Sequence, residues 1–251
     1  MSADKIAGMA PSSHAHSRPG WLLDEIASAG RENLDAGHAS RYDSKEDAGA
    51  SGEVRILTRL GLTGESVVID LGAGTGQFTL AVAPACGQVV AVDVSSVMLE
   101  VLRAKVERTG LDNVEIAHAG FLTYAHRGRP ADVVYSRYAL HHLPDFWKGV
   151  ALARMHRMLR PGWILRLRDV VYSFEPAEAA DRIEAWCSTG TSTDGGWARG
   201  ELEEHVRDEH STFSWLLEAM MLRAGFTIED AEHSDDGIFA AYVLRRSWPA
   251  T

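Results

Sequence analysis

Thiols are scarce in this chain. Cys86 and Cys187 are the only cysteines among 251 residues, far apart and in no ligand-like spacing. That excludes a disulfide framework and a cysteine-based zinc site, and it fits free thiols in a reducing compartment. Long apolar runs are missing too, with nothing approaching the roughly 18 consecutive apolar residues of a membrane span. The first 20 residues form a polar Ser/His/Ala/Pro run without the apolar segment of a secretory signal, and His14 and His16 read as solvated tail residues. Basic residues are in deficit, 25 Lys and Arg against 35 Asp and Glu, giving a formal net charge of −10. Binding to a phosphate backbone usually requires the opposite balance, so nucleic acid is disfavoured as a partner. Internal repeats and low-complexity blocks are also lacking. The expectation is a cytoplasmic protein with no membrane partner, and nothing in the sequence fixes its oligomeric state.

What remains is the composition of an ordinary globular protein, 45% hydrophobic and 24% charged. The length suits one α/β domain. Apolar residues fall at helical spacing from Trp21 through Leu22 to Ile26, and again from Val54 to Leu60 before Gly61. Between them lies a polar, punctuated loop at 38–45. From residue 66 the rhythm changes to short β-branched runs: Val67-Val68-Ile69-Asp70-Leu71, Val89 to Asp93, Val114 to Ile116, Asp132 to Ser136, and Trp163 to Tyr172. Nearly unbroken runs of this kind mark strands buried on both faces. Helical stretches separate them, at 78–86, after a Ser95 or Ser96 cap as far as Gly110, and from about Asp145 to a stop at Pro161-Gly162.

Alternating strands and helices predict a Rossmann-like α/β domain, a parallel sheet with helices on both faces. Strands at 226–232 and 238–244 around Asp235-Asp236-Gly237 predict a closing hairpin, hence a seven-strand sheet whose last strand is antiparallel. The predicted organisation is a disordered lead at 1–20 and a single domain at 21–251. Within that domain lie a helical cover at 21–65, a core at 66–173, a lid and acceptor segment with a helix at 174–224, and the hairpin at 225–246.

The first strand runs into Asp70-Leu71-Gly72-Ala73-Gly74-Thr75-Gly76-Gln77. Glycines here let the backbone turn tightly and approach a ligand. A Walker-type loop needs Lys then Ser or Thr after its last glycine, where Gln77 and Phe78 stand instead. A dinucleotide fingerprint needs its third glycine one residue later. Asp70 places a carboxylate beside the loop, which repels a pyrophosphate and suits a positively charged ligand without phosphate. Asp93 ends the next strand, where doubly wound folds place an acid on ribose hydroxyls.

On VIDLGAGTGQFT, AVDVSSVMLEVLRAK, DVVYSRYALHHLPD and MHRMLRPGWILRLRD, the segment 67–168 resembles the class I S-adenosylmethionine-dependent methyltransferases, particularly their bacterial small-molecule branch. The resemblance implies S-adenosylmethionine as cofactor and S-adenosylhomocysteine as its product. It implies that Asp70, Gly72, Ala73, Gly74, Thr75 and Gly76 line the methionine moiety, with Tyr42 folding over its carboxylate. Asp93 accepts the ribose hydroxyls, Val94 and Met98 lie against adenine, and Ser136 lies beside the sulfonium. One departure stands out. After the third strand the family shows an acid that meets the adenine amino group, whereas this chain has Ala119-Gly120-Phe121, which leaves adenine to backbone contacts at Gly120 and to Phe121.

On the acceptor side, Asp169 ends the fifth strand at the carboxyl edge, either as a base for an acceptor hydroxyl or as a strand-end cap. His141 is a candidate base, while the resemblance implies that this histidine run packs behind the cofactor. Adjacent residues on a helix or turn point about 100° apart, so His141 and His142 make a poor ligand pair and no metal is expected. Arg137, Tyr172, Trp197 and His210 are the candidate acceptor contacts, the last two in an acid-rich segment that reads as a lid or as a solvated face. The expected function is methyl transfer by in-line displacement to a small-molecule oxygen, nitrogen or carbon nucleophile. A non-catalytic S-adenosylmethionine-binding regulator and a protein methyltransferase are the alternatives. A nicotinamide oxidoreductase of the same fold is opposed by Asp70 and by the misplaced third glycine. Base methylation is opposed by Ser136-Arg137-Tyr138-Ala139, which stands where an amide-and-aromatic motif would be.

Overall fold

The computed structural model describes residues 19–29, 49–190 and 197–248. Helix α1 spans Ala50–Arg59, then β1 Val67–Leu71, α2 Gln77–Val82, β2 Gln88–Asp93, α3 Ser96–Thr109, β3 Val114–His118 and β4 Ala131–Arg137. Next come α4 Asp145–Met158, β5 Leu159–Tyr172, α5 Ala179–Cys187, α6 Arg199–Asp208, β6 Thr212–Phe213, α7 Ser214–Arg223, β7 Phe226–His233 and β8 Phe239–Arg246.

The sheet runs β3-β2-β1-β4-β5-β8-β7, with the two-residue β6 added in parallel beside the end of β5. Pairings from β3 to β5 are parallel, and β8 runs antiparallel to both of its neighbours. The mostly parallel sheet with an antiparallel last strand is therefore present. An eighth strand, β6, joins it, too short to carry a sequence signal.

Period-two alternation divides the core. Val67, Ile69 and Leu71 enter one cluster with Val90, Val92 and Val134, against Leu152 and Met155 of α4 and Leu217 and Met221 of α7. Val68 enters the opposite one with Val89, Val133 and Tyr135, against Leu57 of α1 and Phe78 of α2. Each such fully buried aliphatic side chain contributes roughly 1.5–3 kcal/mol. Helix α3 is bounded as its sequence demands. Ser95 Oγ accepts the Met98 N–H at 3.2 Å, and Gly110 closes the helix at φ 68°.

Two local expectations are corrected. The apolar spacing from Trp21 to Ile26 forms turns and no helix. Asp24 Oδ1 accepts the N–H groups of Ile26 and Ala27, a side-chain turn that competes with the helix. The helix before Pro161 ends at Met158, and β5 already begins at Leu159. Arg160 precedes proline and is pushed toward extended backbone, so the strand absorbs Pro161-Gly162 as an irregularity between its Ala131 and Val133 pairings. The loop at 38–45 and nearly all of the 1–20 lead lie outside the described residues.

The direction of strand succession reverses between β1 and β4. Ligands of doubly wound sheets bind at such a switch, outside the carboxyl ends of the strands. The glycine loop leaves β1 there.

Candidate functional site

Gly72, Gly74 and Gly76 all have positive φ, at 77°, 53° and 85°. A Cβ on Gly76 would stand 2.1 Å from Leu102 Cδ1, so this glycine lets the loop pack on α3. A Cβ on Gly74 would meet nothing within 4 Å, which leaves that backbone open to a ligand. The cleft before it holds about 680 Å³, lined by Gly72, Gly74, Asp93, Met98, Phe121 and Arg137, with His142 in one wall. A recess of about 370 Å³, bounded by Asp70, Ala73 and Thr75, shares Gly72, Gly74 and Arg137 with it.

Two carboxylates flank the loop, Asp70 buried and Asp93 half-buried. Asp93 Oδ2 accepts the Gly74 N–H at 2.8 Å and Oδ1 accepts the Ser95 N–H at 2.7 Å. Each oxygen has a second lone pair, so the group suits a pair of adjacent hydroxyls. Burial pushes its carboxyl above the usual range, against the pull of those two N–H donors. Asp70 lies on the α2 side of β1, where its Oδ2 accepts the Thr79 hydroxyl at 2.6 Å. Burial pushes Asp70 up to about 7; the Thr79 hydrogen bond opposes that and the neighbouring Asp93 adds to it. A cation placed beside the loop relieves both carboxylates at once.

Sequence reasoning missed a third carboxylate. Glu25, in the segment at 19–29, is 4% exposed and lines the same cleft. Its Oε1 accepts the Leu122 N–H at 3.0 Å and its Oε2 the Thr123 hydroxyl at 3.1 Å. A Cβ on Gly120 would fall 2.3 Å from Glu25 Oε1. Gly120 is therefore glycine because another residue's carboxylate occupies its side-chain space.

Beyond β4 the chain turns through Tyr138, at φ 48° the one non-glycine residue with positive φ among the described residues. The single 3-10 turn Leu140–His142 follows. His141 Nδ1 pairs with Asp169 Oδ1, and the His141 backbone N–H donates to Asp169 Oδ2 at 3.1 Å. His141 Nε2 lies 3.0 Å from Glu209 Oε2, the oxygen that His205 Nδ1 also contacts. Burial alone would lower His141, but Asp169 and Glu209 outweigh it and hold the imidazole up at about 9. Burial, with the charge of His141, drives His142 down to about 3. For Glu209, burial is overcome by His141 and His205, and its carboxyl sits well below the usual range.

Of the residues expected at the cofactor, Gly72, Gly74, Asp93, Val94, Met98, Gly120 and Phe121 line the cleft, and Asp70, Ala73 and Thr75 line the recess. Gly76 packs beneath the loop and lines neither. Ser136 does not face the ligand space. It is fully buried, its hydroxyl makes no hydrogen bond, and alternation turns it away from the face of Tyr135 and Arg137. Tyr42 lies outside the described residues.

On the acceptor side, the Arg137 guanidinium stacks 4.3 Å from the Tyr138 ring centroid. Tyr172, at the end of β5, belongs to an apolar cluster with Trp186 and Leu202, against which Phe239 and the half-buried Trp197 pack, so Trp186 is interior to the covering segment. His210 is exposed, and its backbone N–H donates to the His141 carbonyl at 3.0 Å. Asp169 and His141 are buried behind the cleft wall and do not line it. His205 and Glu209 were also missed, although their i,i+4 spacing on a helix places both on one face.

A methyltransferase-domain family model matches residues 68–162. A relative from Anoxybacillus flavithermus, described as an uncharacterized methyltransferase, is 29% identical over 192 residues, 76% of this chain and 82% of that protein. A demethylmenaquinone methyltransferase of Staphylococcus aureus is 31% identical over 111 residues, 43% of this chain and 44% of the enzyme. Among solved structures, an S-adenosylmethionine-dependent methyltransferase from Clostridium acetobutylicum superposes with a TM-score of 0.63 at 13% identity, over 84% of this chain and 98% of that one.

Proposed function

Because this chain belongs to the class I S-adenosylmethionine-dependent methyltransferases, we propose that it binds S-adenosylmethionine in the cleft between β1 and β4 and transfers the methyl group to a small-molecule oxygen, nitrogen or carbon nucleophile. The observation that carries this reading is the pair of carboxylates, buried Asp70 and half-buried Asp93, on either side of a loop whose Gly74 backbone is open. A phosphate ligand would meet two negative charges there, while a cation with a ribose diol meets two partners.

When bound, S-adenosylmethionine supplies an activated methyl group on a sulfonium. The residues of this chain then have separate tasks. Asp93 takes the ribose hydroxyls through its remaining lone pairs, while Gly74 and Ser95 fix its orientation. Asp70 stabilises positive charge at the methionine end, and its neighbour Thr79 holds the ionised form. Glu25 provides the acceptor for the adenine amino group that the chain lacks after β3, with Val94, Met98 and Phe121 around the ring. Arg137, where recess and cleft join, orients an acceptor. Alignment and exclusion of water supply most of the acceleration, so a dedicated base is not required. Asp169 and His141 act as positioning residues for the wall that His142 lines.

The domain organisation fits this division of labour: Glu25 brings the segment at 19–29 to the adenine end, 66–173 is the core, and the apolar cluster around Trp186 stands at the acceptor end before the hairpin at 225–246. The buried tryptophan cluster of the cover supports a closed pocket over an open surface cleft, hence a small acceptor over a protein. The name of the demethylmenaquinone relative supports the same choice.

Methyl release from isotope-labelled S-adenosylmethionine over fractionated metabolite pools tests the proposal. Transfer into a small-molecule fraction is expected. Transfer only into protein would overturn the acceptor class, and tight cofactor binding without transfer to any pool would favour the regulator.

A further inference from the structure

The geometry points to a divalent transition-metal site at the acceptor end, held by His141 Nε2, His142 Nδ1 and the Glu209 carboxylate, which His205 Nδ1 also contacts. One donor atom from each of His141, His142 and Glu209 lies within 4.8 Å of the other two. Across the 3-10 turn the two neighbouring rings stand 4.3 Å apart between centroids, and the His205 ring approaches His141 at 4.9 Å. This proposal departs from the expectation that adjacent histidines make a poor ligand pair.

Three further observations fit a metal site. First, two imidazole nitrogens converge on Glu209 Oε2, His141 Nε2 at 3.0 Å and His205 Nδ1 beside it. Second, His142 Nδ1 is buried without any hydrogen-bond partner, 3.9 Å from Glu209 Oε1. Third, Asp169 grips His141 at Nδ1 and is itself fixed by the Val170 N–H at 2.9 Å, which leaves Nε2 to face the cluster. A carboxylate behind a histidine is the outer-shell arrangement that orients imidazole ligands of metals.

The backbone places the donors beforehand. His205 and Glu209 are one turn apart at the end of α6, and the Glu209 N–H donates to the His205 carbonyl at 3.0 Å. The next residue anchors this end to the core through the His210 N–H on the His141 carbonyl and Lys148 Nζ on the His210 carbonyl. Imidazoles with one carboxylate suit zinc, iron or manganese and not magnesium or calcium. His142 also lines the cleft, so the ion would stand at the acceptor wall and tie the 199–209 helix to the edge of the sheet. There it would take an acceptor oxygen into its coordination sphere, a role that rests on the methyltransferase reading, whereas the site itself does not.

The test is metal binding by the full chain, stripped with EDTA and titrated separately with Zn²⁺ and Co²⁺. Bound metal is counted by plasma mass spectrometry after gel filtration, and the cobalt form is read by its visible absorption. One ion per chain is expected, with cobalt bands of low-symmetry coordination. His142→Ala removes a side chain whose Nδ1 makes no hydrogen bond, so the fold should survive as judged by near-ultraviolet circular dichroism. It and Glu209→Gln should each weaken binding at least about a hundredfold, and Asp169→Asn by roughly 10–100-fold. Failure of the wild-type chain to bind either ion at about 0.1 mM would overturn the site, as would unchanged affinity in folded His142→Ala and Glu209→Gln. S-adenosylhomocysteine binding is measured on the same samples. Its retention without metal sinks this inference alone, while its absence with metal bound sinks the cofactor reading alone.

Discussion

The Glu25 carboxylate fills the space that a side chain on Gly120 would need, with a Cβ there falling 2.3 Å from Oε1. An acid carried by the segment before the core thus stands where the resembled family carries one after its third strand. The consequence is reciprocal dependence of the two positions. Glu25→Ala should weaken S-adenosylhomocysteine binding by about tenfold or more, the loss of one charge-assisted hydrogen bond of roughly 1.5–3 kcal/mol. Adding Gly120→Asp to that variant should recover most of the affinity, because the vacated space then accepts an acid from β3. Calorimetry on both proteins checks this, and a double variant no better than Glu25→Ala would refute the substitution of one acid for the other.

Asp93 should be dispensable for folding and not for the cofactor. Asp93→Asn keeps an acceptor oxygen for the Gly74 or Ser95 N–H but loses the charge that receives two hydroxyls. Affinity for S-adenosylhomocysteine should fall at least about tenfold, with the circular dichroism spectrum unchanged. Equal affinity in a folded variant would remove Asp93 from the ribose site.

Asp70 should set a pH dependence. Its carboxyl is raised from 3.8 to about 7, chiefly by burial. The sign follows from linkage: the stability associated with the protonated group is complete below pH 3.8 and is lost as pH rises through 7. Asp70→Asn should therefore raise the melting temperature at pH 8 and change it little at pH 3.5, with an upper limit near 4 kcal/mol from the size of the shift. Cofactor binding runs the other way, because a cation favours the ionised acid. Affinity should climb by up to about tenfold per pH unit between pH 6 and 7, with Asp93 acting in the same direction, and flatten in Asp70→Asn. A pH-independent affinity in the wild-type chain would contradict the assignment.

The cover over the acceptor end separates binding from turnover. Trp197→Ala thins the cluster around Trp186 and Phe239 while leaving Asp93, Gly74 and Glu25 of the cleft in place. S-adenosylhomocysteine affinity should stay within about twofold, roughly 0.4 kcal/mol, while transfer to the acceptor drops tenfold or more. Equal activity would make residues 174–210 a decoration and return the acceptor site to Arg137 and its neighbours.

The legible parts of this molecule were local. Val67 to Leu71 announces a strand buried on both faces, Ser95 and Gly110 bound a helix, and Asp70 and Asp93 mark the two ends of a ligand by their place beside a glycine loop. Errors came where a tertiary contact or a facing direction decides. Asp24 turns the apolar run after Trp21 into a side-chain-capped bend. Ser136 and Arg137 differ by one residue in a strand, so the choice between them depends on which face meets the cleft. Glu25 and Glu209 reach their partners across long stretches of chain, and no spacing rule within either segment points to Gly120 or His141.

The cofactor assignment underlies all of these expectations, and a thermal unfolding series with two ligands tests it most directly. S-adenosylhomocysteine at 100 times its dissociation constant should stabilise the full chain by about 2.7 kcal/mol, and reduced nicotinamide dinucleotide at the same concentration should leave the transition where it is. Stabilisation by the dinucleotide, with none from S-adenosylhomocysteine, would contradict the account.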